Sequence, residues 1–137
     1  MIQIPRHDSL PPPMATVLVV DDTAVSRHIV TRALDALGFQ TLVAADGRAA
    51  IDLIRQCHPD AIVTDLEMPN VGGDELIELI RASDDAQISG LPILVISSQN
   101  DAITRAELRH LGADAFVAKP VDVAVLRETV SRLFVDL

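Results

Sequence analysis

Apolar residues in this chain follow two alternating rhythms. Thr16-Val17-Leu18-Val19-Val20 is a short run, apolar after its first residue and rich in β-branched side chains. That is the composition of a strand buried on both faces. From Thr23 the period lengthens: Val25, Ile29, Val30, Ala33, Leu34 and Leu37 recur at helical spacing, with Gly38 placed as a stop. The exchange repeats four times. Strands are predicted over 39–43, 61–64, 92–96 and 115–118, and helices over about 49–57, 74–82, 100–111 and 122–134, with His58-Pro59 and Gly112 ending two of them. Five apolar strands alternating with five amphipathic helices predict an α/β fold. Its parallel sheet is covered on both faces, because each parallel crossover needs a helix. Residues 1–14, with Pro5, Pro11, Pro12 and Pro13, have no period and read as an extended Pro-rich tail ahead of a single domain over 15–137.

In open parallel sheets, sites form beyond the carboxyl ends of the strands. The first predicted strand runs into Asp21-Asp22, the third into Asp65, the fourth into Ser97-Ser98 and the fifth into Lys119-Pro120. Three carboxylates, a hydroxyl and an amine therefore converge on one edge. Carboxylates gathered in this way stay ionised only if positive charge intervenes. A hard divalent cation such as Mg²⁺ suits oxygen ligands and usually binds one or two carboxylates together with phosphate oxygens. A carboxylate beside Mg²⁺ and an ammonium is a suitable nucleophile toward a phosphoryl group. Singly, each residue has a plainer reading: an Asp after a strand is a turn former or helix cap, and a lone Lys is a solvated charge. Together, at four strand ends in this order, they outweigh it.

Composition narrows the classes. At 137 residues there is room for one domain, and 49% hydrophobic content excludes wholesale disorder. A formal charge of −9 argues against binding nucleic acid or an anionic membrane through a broad basic surface. Most of the excess is local: residues 60–90 hold eight acids and one base, for −7. Of eleven bases ten are Arg, and Lys119 is the only Lys, either a survivor of compositional bias or a position that needs a compact, flexible charge. A single Cys leaves no intrachain disulfide, and the chain shows neither an apolar run of membrane length nor a signal pattern, so the cytoplasm is the expected location. Cys57, near a helix end, reads as a small core residue. His28, His58 and His110 lack metal-ligand spacing and read as helix-face or cap residues.

These segments resemble the receiver domain of two-component and phosphorelay response regulators, the CheY-like superfamily. The likeness rests on Val17-Leu18-Val19-Val20-Asp21-Asp22, on Asp65-Leu66-Glu67-Met68-Pro69 with Gly72-Gly73, on Pro92-Ile93-Leu94-Val95-Ile96-Ser97, and on Phe116-Val117-Ala118-Lys119-Pro120. It spans about residues 15–135. The resemblance implies a flavodoxin-like, doubly wound (βα)5 fold with strand order 2-1-3-4-5. It implies that Asp65 accepts a phosphoryl group from a phosphohistidine on a sensor histidine kinase or histidine phosphotransfer protein. Asp22 and Asp65 would bind Mg²⁺ directly with the backbone carbonyl of Glu67, and Asp21 largely through water. Lys119 would pair with a phosphoryl oxygen, with Pro120 following through a cis peptide bond. Ser97 would hydrogen-bond the phosphoryl group once formed, and Phe116 would rotate after it. That motion would remodel the surface of the fourth helix, fifth strand and fifth helix for a downstream protein target. Glu67 and Gln99 would tune the lifetime of the acyl phosphate. The implied chemistry is self-phosphorylation and autodephosphorylation at Asp65 only, not turnover of an external substrate.

Two positions vary within that family. Ser97 keeps the hydroxyl of the common threonine but not its methyl. Phe116 replaces a frequent tyrosine; lacking a hydroxyl, it is either biased inward or simply core. Two enzymatic rivals fail on residues. An ATPase would need a Gly-rich loop ending in Gly-Lys-Ser/Thr, which is absent. A phosphatase of the haloacid-dehalogenase type would carry Asp-x-Asp first and its acidic pair last, whereas here the pair comes first and Asp65-Leu66-Glu67 lacks the second Asp. A degenerate, purely protein-binding receiver is the remaining alternative, but every site position holds a suitable residue.

Overall fold

The structure, a computed structural model, describes residues 15–134; the predicted Pro-rich tail and the last three residues lie outside them. Strands β1 (Thr16–Val20), β2 (Gln40–Ala44), β3 (Ala61–Asp65), β4 (Ile93–Ser97) and β5 (Ala115–Ala118) form one sheet in the order β2-β1-β3-β4-β5, with every pair parallel. Four crossover helices, α1 (Ala24–Ala36), α2 (Gly47–Cys57), α3 (Gly73–Arg81) and α4 (Ala102–Leu111), connect the strands, and α5 (Val123–Leu133) follows the last strand; together they cover the sheet. Fold class and strand order are those the sequence implied.

The strands' period of two divides the core. Leu18, Val20, Ile62, Ile93 and Val95 point to one face and pack with Ala50 and Ile54 of α2, Leu76, Ile77 and Ile80 of α3 and Leu108 of α4. Val17, Val19, Ala61, Val63, Leu94, Ile96 and Val117 point to the other, against Val30, Ala33 and Leu34 of α1 and Leu126 and Val130 of α5. Phe134 closes the second layer by meeting Phe39 edge-on, centroids 6.1 Å apart at 86°. Such a pair contributes about 1 kcal/mol beyond its buried area. Both layers end at the carboxyl edge of the sheet, and the last residues in each period-two series become the site.

Part of the acidic excess starts helices. The side chains of Asp46, Asp101 and Asp122 accept from backbone N–H groups in the first turns of α2, α4 and α5, satisfying donors that have no intrahelical partner. Thr104 also holds Asp101 through its hydroxyl, and these bonds, the backbone one first, lower the Asp101 pKa. The caps also move α2 two residues earlier than its apolar pattern predicts.

One element was not predicted. Ala86–Ser89 forms a single helical turn whose cap, Asp85, accepts from Gln87 N at 2.9 Å. Four residues are too few to show a helical period. Arg81 fastens this turn: its guanidinium donates to the carbonyls of Ser89, Leu91 and Gly112 at 2.7–3.0 Å and pairs with Asp114 at 3.0 Å. Cys57 corrects a prediction. It is exposed, because α2 ends there: His58 turns the chain at φ 49 and the next buried residue is Pro59. His28 and His110 are exposed on helix faces and His58 caps α2, the helix-face and cap positions expected of them.

Candidate functional site: an acidic cluster at the carboxyl edge of the sheet

Register assembles the site. β1 pairs Val20 with Thr64 of β3, so the next residues, Asp21 and Asp65, come out side by side. Asp21 follows Val17 and Val19 in phase, Asp65 follows Ala61 and Val63, and Lys119 follows Val117. All three thus fall in step with the layer covered by α1 and α5. Asp21 is buried and fixed: its Oδ1 accepts from Thr23 N at 2.9 Å and Thr23 Oγ1 at 3.0 Å, while its carbonyl accepts from Arg27 Nη1 at 2.8 Å. Asp22 faces solvent. Carboxylate oxygens of Asp21, Asp22 and Asp65 lie within 4.8 Å of one another.

Asp65 is 3% exposed. Lys119 Nζ contacts its Oδ2 at 3.0 Å, while Oδ1 is buried without a hydrogen-bond partner. Burial raises the Asp65 pKa, and the Lys119 contact offsets this only in part; Asp21 and Glu67 push it further up. Burial acts to lower the Lys119 pKa, but its bond and attraction to Asp65 win, and it lies above the ordinary lysine value. Three converging carboxylates and an orphaned buried oxygen form an incomplete charge balance. They fit a hard cation that takes oxygen ligands and keeps part of its water, as Mg²⁺ does.

The loop after Asp65 is held close. Leu66 N donates to Ile96 O and Gly73 N to Leu66 O. A Cβ at Gly73 would overlap the Asp65 carbonyl oxygen and come within 2.8 Å of Leu66 Cα, so only glycine lets α3 start against Asp65. Asn70 takes a positive φ of 66°, a conformation Asn adopts more readily than other side-chain-bearing residues. The Lys119–Pro120 peptide is cis.

Ser97 and Phe116 belong to the opposite layer. Val95 pairs in register with Phe116, and Ser97, two residues on, points to the same face of the sheet. Ser97 is buried, and its hydroxyl donates not to Asp65 but to Glu67 Oε2 at 2.9 Å. Glu67 Oε1 accepts from Ser98 Oγ at 2.8 Å and Ser98 N at 3.3 Å. Gln99 is exposed, and its backbone N–H donates to Ser97 Oγ at 2.8 Å. Phe116 is half-buried, packed on the first core layer, with the guanidinium carbons of Arg105 and Arg109 5.8 and 5.1 Å from its ring centroid. Its ring therefore sits beneath two cations of α4, each such contact contributing about 0.5–1 kcal/mol.

The predicted residues thus divide into two groups: Asp21, Asp22, Asp65 and Lys119 in one, Glu67, Ser97 and Gln99 in the other. Three contributors had no predicted role: Thr23 and Arg27, which fix Asp21, and Ser98, which shares Glu67 with Ser97. Thr23 stands two residues after Asp21, the spacing of an Asx-type turn, and was the only one of the three with a readable signal.

The chain belongs to the response regulator receiver domain family, whose pattern matches residues 17–131. It is 34% identical over 119 residues to chemotaxis protein CheY-3 of Vibrio cholerae, covering 86% of this chain and 90% of that protein. It is 26% identical over 121 residues to the polar-differentiation response regulator DivK of Brucella ovis, covering 88% and 97%. The solved structure of chemotaxis response regulator CheY4 of Vibrio cholerae matches with a TM-score of 0.82 at 30% identity, covering 88% of this chain and 99% of that one. Receiver domains are signalling modules of two-component systems rather than turnover enzymes; they use Mg²⁺ and interact with histidine kinases and downstream targets. Among the described residues no helix is long and apolar enough to cross a membrane.

Proposed function

We propose that this chain, as a receiver unit over 15–137 behind a Pro-rich tail, is a phosphoacceptor: Asp65 takes a phosphoryl group from a phosphohistidine on a sensor histidine kinase or histidine phosphotransfer protein. The observation that carries the reading is the buried Asp65 carboxylate, one oxygen held by Lys119 at 3.0 Å and the other unpartnered beside Asp21 and Asp22. A carboxylate oxygen of Asp65 attacks phosphorus. The P–N bond breaks, its electron pair returns to the imidazole nitrogen, and an acyl phosphate remains. Lys119, already in contact with Asp65, stabilises charge on a phosphoryl oxygen.

Asp22 and Asp65, with the Glu67 carbonyl, would hold Mg²⁺, and Asp21 would act mainly through water. When bound, the ion supplies the positive charge that offsets the clustered carboxylates and the phosphoryl oxygens. The Ser97 hydroxyl then donates to the phosphoryl group. Phe116, on the same face, follows it, and the α4-β5-α5 surface changes for a protein target. Glu67 and Gln99, which line one groove beside the site, tune the lifetime of the acyl phosphate. The only chemistry is gain and loss of the phosphoryl group at Asp65. The net charge of −9 disfavours direct nucleic-acid binding, and we assign the chain to the cytoplasm.

The test is incubation with acetyl phosphate and Mg²⁺ followed by intact mass. One phosphoryl addition that vanishes in Asp65→Asn is expected. No addition, or one that persists in that variant, refutes the reading.

A further inference from the structure

We propose that the Glu67 carboxylate is an intramolecular competitor for the Ser97 hydroxyl, a latch that holds the end of β4 in its resting arrangement and sets how readily the switch responds. The inference rests on the reading of Asp65 as phosphoacceptor and Ser97 as its hydroxyl partner, and goes beyond it by giving the Glu67 side chain a defined role.

A serine hydroxyl carries a single proton. In this structure it is directed to Glu67 Oε2 at 2.9 Å, while the hydroxyl oxygen accepts from Gln99 N at 2.8 Å. Ser97 therefore cannot donate to a phosphoryl oxygen without releasing Glu67. The latch is reinforced on its other oxygen, where Ser98 donates through Oγ at 2.8 Å and through N at 3.3 Å. Glu67 has no cation within ion-pair distance among the described residues, since Lys119 is turned to Asp65. These serine groups are thus its principal partners, and hydroxyl-to-carboxylate bonds are of the stronger, charge-assisted kind.

A phosphoryl group on Asp65 would be a second anion two residues away, with the same demand for the same proton. It would also repel the Glu67 carboxylate, favouring exchange of Ser97 from one acceptor to the other. Ser97 and Phe116 share a face of the sheet across the Val95–Phe116 pairing. Release of Ser97 is therefore the step that opens room for the ring to leave the Arg105 and Arg109 guanidiniums. Glu67 acts through Ser97 and is a positioning residue.

The test is a double-mutant cycle, read by titration of the full chain with beryllofluoride and Mg²⁺, a stable substitute for the phosphoryl group. Phenylalanine ring NMR signals are followed in parallel; the chain has only three Phe. Glu67→Ala is expected to bind beryllofluoride roughly tenfold more tightly than wild type, the worth of about one such hydrogen bond. Its Phe116 signals should also shift toward the bound position before any ligand is added. Glu67→Gln, which keeps an acceptor oxygen but no charge, should fall between the two. In a Ser97→Ala background, Glu67→Ala should change affinity by less than about threefold, because the latched hydroxyl is gone.

An equal gain in both backgrounds would mean that Glu67 acts only by its charge, and overturns the latch. Unshifted Phe116 signals in ligand-free Glu67→Ala also overturn it. Failure of the wild-type chain to bind beryllofluoride, or binding undiminished in Asp65→Asn, instead overturns the phosphoacceptor reading and the latch with it.

Discussion

Substitution of Asp65 by Asn should stabilise this protein in metal-free buffer at neutral pH, although it removes an ion pair. At an effective dielectric constant of about 20, two carboxylates no more than 4.8 Å apart repel by at least about 3.5 kcal/mol, and an ammonium at 3.0 Å attracts by about 5.5 kcal/mol. Two such repulsions exceed the single attraction by at least about 1.5 kcal/mol. Solvent screening of exposed Asp22 reduces that difference, and burial of Asp65 adds to it. The balance against the charge is roughly 1–2 kcal/mol, or about 4–8 °C in Tm for a domain of this size.

The sign with pH follows from the raised pKa. Native Asp65 holds its proton to higher pH than the unfolded chain, whose ordinary value is 3.8. Its favourable contribution is thus complete below that value and is lost as pH rises through the native pKa. The gain in Asp65→Asn should therefore be largest at neutral pH and shrink as the pH falls toward 4. Thermal unfolding followed by far-UV circular dichroism measures it; with no Trp or Tyr, intrinsic indole or phenol fluorescence is not an option. Mg²⁺ at a hundred times its dissociation constant should add about 2.7 kcal/mol to the wild type and much less to the variant. Destabilisation of the variant at neutral pH without metal, or a gain independent of pH, would refute the electrostatic argument.

Three other perturbations probe the frame. Arg81→Met leaves the carbonyls of Ser89, Leu91 and Gly112 without their donor and should cost roughly 3 kcal/mol in urea unfolding. Gly112→Ala places a Cβ at φ +127, 2.6 Å from Arg81 Cγ, and should cost about 2 kcal/mol by the same assay. Cys57→Ser should change stability by less than about 0.5 kcal/mol, and the native thiol should react with a disulfide reagent at a rate that added denaturant barely alters, since it is already exposed.

The parts of the protein legible in its sequence are those set by local period. Val17 to Val20 and Ile93 to Ile96 announce strands buried on both faces because apolar side chains occupy consecutive positions. Asp21, Asp65, Ser97 and Lys119 announce a site because each sits one step beyond such a run, where a parallel sheet ends. The turn at Ala86–Ser89 and the exposure of Cys57 were hidden, the first because four residues carry no period and the second because the helix stops at the very position that a continued stripe would bury.

By itself the sequence determined a five-stranded parallel sheet with acids, a hydroxyl and one lysine on its carboxyl edge, since hydrophobic period and strand ends are properties of the chain. Tertiary structure alone decided what those groups touch. Ser97 meets Glu67 across 30 residues and Arg81 meets Gly112 across 31, while Phe116 rests under two arginines of α4. A side-chain partner depends on strand register, on the path of the loop after Asp65 and on competition among nearby acceptors. Those quantities exist only once the layers have packed.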